Sequence, residues 1–396
     1  MTQTGTERGF PVDEFEQRTQ RAQALLHDNG LSALLVCTEP EVRYLTGFHT
    51  PFWQSPTRPW FVILPIEGKP IAVIPSIGET SMNETWVEDI RTWSSPNPID
   101  EGVSLLSNTL KEVLELNQKT SNQSLQIGLP MGSETHLRMP LMDFEQLNKK
   151  LDPHNFVDAT DIIKSLRCVK SEREIVKISK ICEIVSQGFA SLSDLLSVGM
   201  TEREAFQSFR LKLLELGADD VPYLVGATGP GFSDIIKQPS DRIIEPGDLV
   251  MFDTGSTYDG YFSDFDRNMA FQFTTDAAKS AYEIVWQATE AALKVALPGN
   301  TTSDLWKAMG SVLEAELETN DSVGRFGHGL GMQVTEWPSN TRNDETVLNE
   351  GMVLTVEPNL SWGEDYVMVH EENFVVRADG VELLSRRASP ELEIIN

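Results

Sequence analysis

The segment at residues 252–268, FDTGSTYDGYFSDFDRN, restricts the possible folds more than any other, because it places four aspartates directly after the apolar run LVM. Carboxylates that meet inside a folded chain repel one another and are costly to remove from water. An apolar run followed by such acids therefore has two interpretations. Either the acids form a solvated turn, or the fold gathers them around something that carries positive charge.

Further polar residues border predicted buried strands in the C-terminal half of the chain. Asp253 ends the apolar run and Asp264 follows in the next predicted strand, while His328 lies in GHGLG, Glu357 ends MVLTV and Glu371 precedes NFVV. Four carboxylates and one imidazole can share a buried pocket if two divalent cations neutralise them, and this ligand set suits Mn, Fe, Co or Zn. Each residue alone also fits a solvated turn or a satisfied polar group, so the residues by themselves leave both interpretations open.

Composition excludes several classes of protein. With 396 residues, of which 40% are hydrophobic and 23% charged, the chain is long enough for two globular domains. A net charge of −28 argues against a nucleic-acid partner, which requires a basic surface. No apolar run of membrane-spanning length occurs and the N-terminus is polar, so we expect neither a membrane span nor a signal peptide. Three scattered cysteines favour a cytoplasmic location.

The pattern of predicted elements changes near residue 165. Residues 1–165 alternate helical and strand-like segments and predict an α/β domain, including a hairpin in which PWFVILP and KPIAVIP flank Glu67 and Gly68. Residues 166–396 begin with long amphipathic helices, which start at the capping boxes of Ser171 and Thr201, and continue with strands. Helices segregated from an antiparallel sheet predict an α+β domain.

Four ordered segments resemble the creatinase/prolidase/methionine aminopeptidase family, and most of all its Xaa-Pro dipeptidase and creatinase branch. They are DTGSTYDGYFSDFDR, GHGLGMQVTEWP, GMVLTVEP and HEENFVVRADG. The resemblance implies a pita-bread catalytic domain at residues 166–396 with a dinuclear metal site, preceded by a smaller creatinase-type N-terminal domain. It also implies a metallohydrolase that acts on a dipeptide or other small molecule and forms a homodimer.

The resemblance assigns a role to each matching residue. Asp253 would bind one metal ion, Asp264 and Glu371 would bridge two, and His328 and Glu357 would bind the second. Glu357 would also transfer the proton of the attacking water and is the candidate catalytic residue.

Three neighbouring residues match no ligand position of the family. Asp259 is expected to form a turn with Gly260, and Asp266 and Arg267 are expected to support the ligands from behind.

Two positions depart from the peptidase pattern, which places two further histidines near the metals. Ile236 and Thr335 stand at these positions. Loss of a group that stabilises the oxyanion costs roughly 10²–10³ in rate. A non-peptidase member that acts on a small zwitterion is therefore the alternative, as a dimethylsulfoniopropionate lyase, an ectoine hydrolase or a creatinase does. A non-catalytic binding module is a third hypothesis, but all five ligand positions are retained.

The aromatic stretch TGFHTPFWQSPTRPWF in the N-terminal domain has two interpretations. It forms either the core of a hydrophobic loop or an aromatic wall over an active site, and the second interpretation suits a small cationic or zwitterionic substrate. In that case Trp53 would belong to the wall, Arg58 would bind a substrate carboxylate, and Trp337 would line the same pocket. Thr335 and Ile236 complete the candidate substrate-binding residues.

Overall fold

The computed structural model describes residues 8–56, 58–117, 125–316, 324–363 and 365–395. The chain divides into an N-terminal unit that ends at Arg167 and a C-terminal unit that starts at Cys168, close to the predicted change at residue 165. Within the described residues, no helix combines the length and the apolar content needed to cross a membrane.

Helices and strands alternate in the N-terminal unit. Its α-helices, the last of which ends at the boundary, are α1 (Val12–Asp28), α2 (Glu39–Thr46), α3 (Glu79–Asn83), α4 (Val103–Asn117), α5 (Leu141–Leu151) and α6 (Thr160–Cys168). Short 3-10 turns occupy Pro51–Gln54 and Ser76–Gly78. The strands are β1 (Ala33–Val36), β2 (Phe61–Pro65), β3 (Ile71–Pro75), β4 (Asp89–Trp93), β5 (Gln126–Leu129) and β6 (Asn155–Asp158).

The described strands of this unit form one mixed sheet in the order β4-β3-β2-β1-β5-β6. The predicted hairpin is confirmed, because β2 and β3 pair antiparallel, and Gly68 adopts the left-handed φ of +94° that its turn requires. Helices α4 and α5 bury their apolar faces against the sheet, around Leu110 and Leu147. The predicted α/β domain is confirmed.

The C-terminal unit combines long helices with mostly antiparallel strands. Its helices are α7 (Glu172–Ala190), α8 (Leu192–Leu195), α9 (Glu202–Leu216), α10 (Asp276–Val295) and α11 (Thr302–Glu316). The strands are β7 (Asp220–Gly229), β8 (Leu249–Tyr258), β9 (Tyr261–Phe262), β10 (Phe265–Phe271), β11 (His328–Gly329), β12 (Glu336–Ser339), β13 (Val353–Val356), β14 (Asn359–Trp362), β15 (Tyr366–Val369), β16 (Glu372–Arg377), β17 (Gly380–Leu383) and β18 (Glu393–Ile395).

Two sheets carry the polar residues of this unit. One has the order β18-β10-β8-β7, with β9 paired to β8, and the other has the order β12-β11-β13-β16-β17. Both predicted capping boxes are present, since Ser171 and Thr201 each accept a hydrogen bond from the backbone N–H three residues later and the glutamate there bonds back. Helices α10 and α11 pack on the apolar core of the unit. The α+β prediction is therefore confirmed.

Candidate metal centre

The five predicted ligands lie on strands of the two sheets or directly beside the ends of those strands. Asp264 falls between β9 and β10, His328 opens β11, Glu357 follows β13 and Glu371 precedes β16. Asp253 differs from the prediction, because β8 does not end with the apolar run but continues to Tyr258. The strand continues because β7 pairs with it on one side and β9 and β10 on the other, so Asp253 is held within a fixed ladder.

Three of these side chains meet in one buried cluster. Asp264, His328 and Glu371 each offer a ligand atom, and these atoms lie within 4.8 Å of one another. His328 Nε2 lies 3.4 Å from Asp264 Oδ2 and 3.8 Å from Glu357 Oε1. The imidazole therefore faces carboxylates that come from two other segments of the chain.

His328 is neutral and carries its ring hydrogen on Nδ1, so Nε2 has a lone pair that can bind a metal ion. Nδ1 lies 2.9 Å from the carbonyl oxygen of Gly329. Since a carbonyl oxygen can only accept, the ring hydrogen sits on Nδ1 and Nε2 presents a lone pair. Burial, and next to it the positive charge of Arg325, lowers the pKa of His328 to about 4, so the ring is neutral at pH 7. A neutral imidazole with this tautomer is the form that binds a metal ion.

The carboxylates of the centre are driven towards protonation when no cation balances them. Burial raises the pKa of Asp253 to about 6 and that of Glu357 to about 8. Burial and the charges of the neighbouring acids raise the pKa values of Asp264 and Glu371 well above the ordinary range. Carboxylates with pKa values shifted in this way cluster at functional sites.

Two buried oxygen atoms test whether a cation fits this centre. Asp253 Oδ1 and Glu371 Oε1 are both buried and have no hydrogen-bond partner among the described residues. An orphaned buried acceptor is costly, and a lone pair of His328 that faces carboxylate oxygens adds repulsion. A divalent cation would satisfy these acceptors together, so the residues present fit bound metal ions.

Hydrogen bonds from other residues fix the positions of the ligands. Tyr223 on β7 donates from its hydroxyl to Asp253 Oδ2 at 2.8 Å. The backbone N–H of Glu371 donates to Asp266 Oδ1 at 2.8 Å, and Arg267 Nη1 donates to the carbonyl of Glu371 at 2.9 Å. The geometry around Asp266 and Arg267 agrees with the supporting role expected of them.

Asn373 also holds a ligand and is absent from the sequence predictions. Its Oδ1 accepts from the backbone N–H of Asp264 at 2.9 Å, and its Nδ2 donates to the carbonyl of Asp264. Asn373 is fully buried on β16, where it stands between Glu372 and the apolar run FVV. An asparagine directly before an apolar run, in the sequence ENFVV, is the signal from which its role could have been suspected.

Asp259, the remaining aspartate of the opening segment, shapes a turn. Asp259 has a φ of +50° and is followed by Gly260 with a φ of +78°, as expected for the turn between β8 and β9. Its carboxylate also forms a buried ion pair with Lys177 Nζ at 2.5 Å. Asp259 therefore ties the turn to helix α7.

The candidate substrate residues of the C-terminal unit lie in different surroundings. Thr335 Oγ1 accepts a hydrogen bond of 3.3 Å from Arg325 Nη2. Ile236 is 70% exposed, and Trp337 is partly buried against the apolar core of the unit. Contact of Thr335, Ile236 and Trp337 with a substrate stays a prediction.

The aromatic stretch of the N-terminal unit contains both buried and partly exposed side chains. Phe48, Trp60 and Phe61 are buried, as a hydrophobic core requires. Trp53 is half-buried beneath the guanidinium of Arg138, which lies 5.0 Å from a ring of the indole, and Arg58 adopts a left-handed φ of +60°. The role of Trp53 and Arg58 at an active site stays a prediction.

Comparison with known proteins decides the family. The model of metallopeptidase family M24 matches residues 176–378, and the model of the creatinase/prolidase N-terminal domain matches residues 18–169. The chain belongs to metallopeptidase family M24. As an M24 protein with both domains, it is a hydrolase of the prolidase-like type, and the predicted family and two-domain architecture are confirmed.

Relatives and solved structures cover nearly the whole of this M24 chain. It is 28% identical over 363 residues to an Xaa-Pro dipeptidase of Pyrococcus horikoshii, covering 88% of this chain and 91% of the relative. A recombinant prolidase of Thermococcus sibiricus superposes with a TM-score of 0.84 at 26% identity, over 96% of this chain and 99% of that one. Dipeptidase PepE of Mycobacterium ulcerans shares the fold, with a TM-score of 0.84 at 24% identity over 98% and 99% of the two chains.

Proposed function

We propose that this M24 protein is a dinuclear-metal-dependent hydrolase that cleaves the C–N amide bond of an Xaa-Pro dipeptide or a similar small molecule. The observation that carries the proposal is the buried cluster of Asp264, Glu371 and a neutral His328, whose Nε2 lone pair faces the carboxylates. The Xaa-Pro dipeptidase among its relatives supports the choice of substrate. We propose two divalent ions for the centre, drawn from Mn, Fe, Co and Zn.

All five predicted ligands take part in the proposed metal centre. Asp253, Asp264, His328, Glu357 and Glu371 would hold the ions through their carboxylate oxygens and through the Nε2 of the imidazole. Divalent ions held there would lower the pKa of a coordinated water and would polarise a carbonyl group. Tyr223 keeps Asp253 oriented through its 2.8 Å hydrogen bond.

Glu357 is the residue we propose for proton transfer. Its side chain is 26% exposed and its Oε1 lies 3.8 Å from His328 Nε2, so it stands at the accessible side of the cluster. A carboxylate in this place can exchange a proton with a water that lies in the cluster. It would accept a proton from the attacking water and pass it to the leaving nitrogen.

An alternative function rests on the absent histidines. Ile236 and Thr335 carry no imidazole, and His370, the other histidine of the C-terminal unit, is fully buried 2.6 Å from Arg387 Nη1 and 3.4 Å from Glu372. Among the described residues of the C-terminal unit, no imidazole thus replaces the two of the peptidase pattern. This favours, as the second candidate, a reaction on a small zwitterion such as dimethylsulfoniopropionate, ectoine or creatine.

We also propose that the protein is a homodimer that works in the cytoplasm. Cys37, Cys168 and Cys182 are buried free thiols, as expected in a reducing compartment. Light scattering after size-exclusion chromatography tests the dimer, and a monomeric mass at micromolar concentration would contradict it.

A substrate screen separates the two functions. Protein freed of metal and reloaded with Mn, Fe, Co or Zn, one at a time, is offered Ala-Pro, dimethylsulfoniopropionate, ectoine and creatine, and the products are measured by chromatography. We expect release of alanine and proline from Ala-Pro. Turnover of a zwitterion without turnover of Ala-Pro would favour the second candidate, and no turnover with any metal would contradict both.

Matched variants connect the reaction to the cluster. Asp264→Ala removes a proposed metal ligand, and we expect it to abolish activity. Asp241→Asn changes an exposed aspartate that pairs with Arg203 on the surface, and we expect full activity. Full activity of Asp264→Ala would show that the cluster is not the reaction site.

A further inference from the structure

His370 lies directly before the proposed metal ligand Glu371 and is not itself one of the five predicted ligands. It is fully buried between β15 and β16, and Arg387 Nη1 approaches its Nε2 to 2.6 Å. The same guanidinium nitrogen donates to Glu372 Oε1 at 3.0 Å, and Arg387 Nε donates to Glu290 Oε1 at 2.9 Å. Two carboxylates therefore fix Arg387, which in turn holds the imidazole from one side.

The contact with Arg387 determines which ring nitrogen of His370 carries the hydrogen. A guanidinium keeps all its hydrogens and can only donate. Nε2 must therefore accept, because two N–H groups whose nitrogens lie 2.6 Å apart would clash. The ring hydrogen then sits on Nδ1, which lies 3.8 Å from Asp266 Oδ1. At this distance the N–H faces the carboxylate but is too far away for a direct hydrogen bond.

Three buried polar atoms at this place have no hydrogen-bond partner among the described residues. They are His370 Nδ1, Asp266 Oδ2 and Asn268 Oδ1. Asp266 and Asn268 are two residues apart on β10, so their side chains point to the same face of the strand. Asn268 Nδ2 donates to the carbonyl of Val369, the residue before His370, at 2.7 Å, and this leaves Oδ1 as a free acceptor. One donor and two acceptors thus stand unpaired in one buried region.

One water molecule satisfies all three atoms. It accepts a hydrogen bond from His370 Nδ1–H and donates its two hydrogens to Asp266 Oδ2 and Asn268 Oδ1. Buried waters typically make about three hydrogen bonds, to polar groups that would be costly to leave unpaired. A metal cation suits this place less well, because the Nδ1–H group points the positive end of its dipole towards it.

The carboxylate that the water holds is also the one that fixes Glu371. Asp266 Oδ1 accepts from the backbone N–H of Glu371 at 2.8 Å. A carboxylate held through one oxygen can still rotate, whereas hydrogen bonds to both oxygens keep it in place. The fixed N–H of Glu371 then orients the side chain that joins Asp264 and His328 in the cluster.

We propose that His370, Asp266 and Asn268 bind one buried water, and that this unit positions Glu371 for metal binding. Arg387 selects the tautomer with which His370 donates to the water. This role rests on the proposed function, because it takes Glu371 as a metal ligand. His370 is a positioning residue that touches neither metal nor substrate, and loss of such an outer partner lowers metal affinity by about 10–100-fold.

Two substitutions of His370 separate this role from mere support of Arg387. In His370→Asn an amide nitrogen takes the place of Nδ1, so the donor to the water is kept and the acceptor for Arg387 is lost. In His370→Gln the longer side chain offers its oxygen to Arg387 in the place of Nε2, and the donor to the water is lost. Calorimetric titration with Mn²⁺ should give nearly wild-type affinity for His370→Asn and a loss of about 10–100-fold for His370→Gln.

The control is His154→Gln, which removes a histidine of the N-terminal unit whose Nδ1 accepts from the backbone N–H of Leu125 at 3.1 Å. We expect this variant to bind Mn²⁺ as the wild type does. A larger loss in His370→Asn than in His370→Gln would show that the ring only supports Arg387. That result, an equal loss in both variants, or no loss in either would overturn the proposal.

A crystal structure of the wild-type chain, at a resolution that shows ordered waters, decides the water site even if the His370 variants do not fold. We expect one water within hydrogen-bond distance of His370 Nδ1, Asp266 Oδ2 and Asn268 Oδ1. Direct contact between these groups, or an ion in their midst, would overturn the proposal and leave the proposed function intact. If the wild type binds no Mn²⁺, the proposed function fails, and the crystal structure still decides the water site.

Discussion

Asn373→Ala removes the side chain that holds the backbone of Asp264 between β9 and β10. In the wild type, the amide group of Asn373 pairs with both the N–H and the carbonyl of Asp264, and its Oδ1 also accepts from Cys182 Sγ at 3.4 Å. Asn373 and Cys182 are fully buried. Alanine offers no hydrogen bond, so the variant leaves both backbone groups of Asp264 without these partners.

The expected loss follows from the two orphaned groups. Each buried backbone group that loses its partner costs about 1–3 kcal/mol, so the free energy of unfolding should fall by roughly 2–6 kcal/mol. Domains of this size are stable by about 5–15 kcal/mol, so the variant should still fold. Asp264 would no longer be held in place, and the loss of an outer partner lowers metal affinity by about 10–100-fold.

Urea denaturation of the metal-free protein and calorimetric titration with Mn²⁺ measure the two effects. Asn300→Ala is the control, because Asn300 Nδ2 donates a single bond of 2.8 Å to the carbonyl of Val295 at the end of α10. We expect this control to lose about 1 kcal/mol and to keep its metal affinity. If Asn373→Ala unfolds like the wild type and binds Mn²⁺ equally well, the hydrogen bonds of Asn373 do not hold Asp264.

Two further predictions concern features outside the ligand set. Glu202 is fully buried, and hydrogen bonds from Ser240 and Thr228 outweigh the effect of burial and lower its pKa. A lowered pKa adds stability above the unfolded value of about 4.3, and this stability is lost as the pH falls through the folded value. Glu202→Gln should therefore lower the free energy of unfolding by about 2–4 kcal/mol at pH 7 and by progressively less below pH 4. Urea denaturation of the wild type and the variant at each pH measures this difference. A difference that does not depend on pH would contradict the prediction. Gly327→Ala should lower both the melting temperature and the metal affinity, because its Cβ would clash with Thr355. Gly299→Ala is the control, because Gly299 also has a positive φ, of +94°, but has open space around it. If this control lost as much melting temperature and metal affinity as Gly327→Ala, the clash would be excluded as the cause.

Much of the fold and of the candidate centre can be predicted from single segments of the sequence. The capping boxes at Ser171 and Thr201 and the hairpin around Gly68 depend on contacts between residues close in the chain, and each is present. The acidic segment after LVM predicts a site that holds positive charge, because buried carboxylates need a counterion. The fold then places Asp264 and Glu371 in one cluster with His328.

Features that depend on distant segments escape such predictions. Asn373 meets Asp264 across 109 residues, and the sequence carries only a weak signal, an asparagine directly before an apolar run. Arg325 reaches Thr335 because the chain returns past it between β11 and β12, which no local pattern reveals. The continuation of β8 beyond Asp253 likewise depends on strands that pair with it from both sides.

Metal content per chain tests the central claim most directly. The full chain is loaded with Mn²⁺ and separated from unbound ions by gel filtration. Its metal content is then measured by inductively coupled plasma mass spectrometry. Asp264→Asn and the surface variant Asp241→Asn are treated in the same way. We predict about two ions per chain for the wild type and for Asp241→Asn, and fewer for Asp264→Asn. A wild-type chain that retains no divalent ion under these conditions, with Mn, Fe, Co or Zn, would contradict the proposed metal centre.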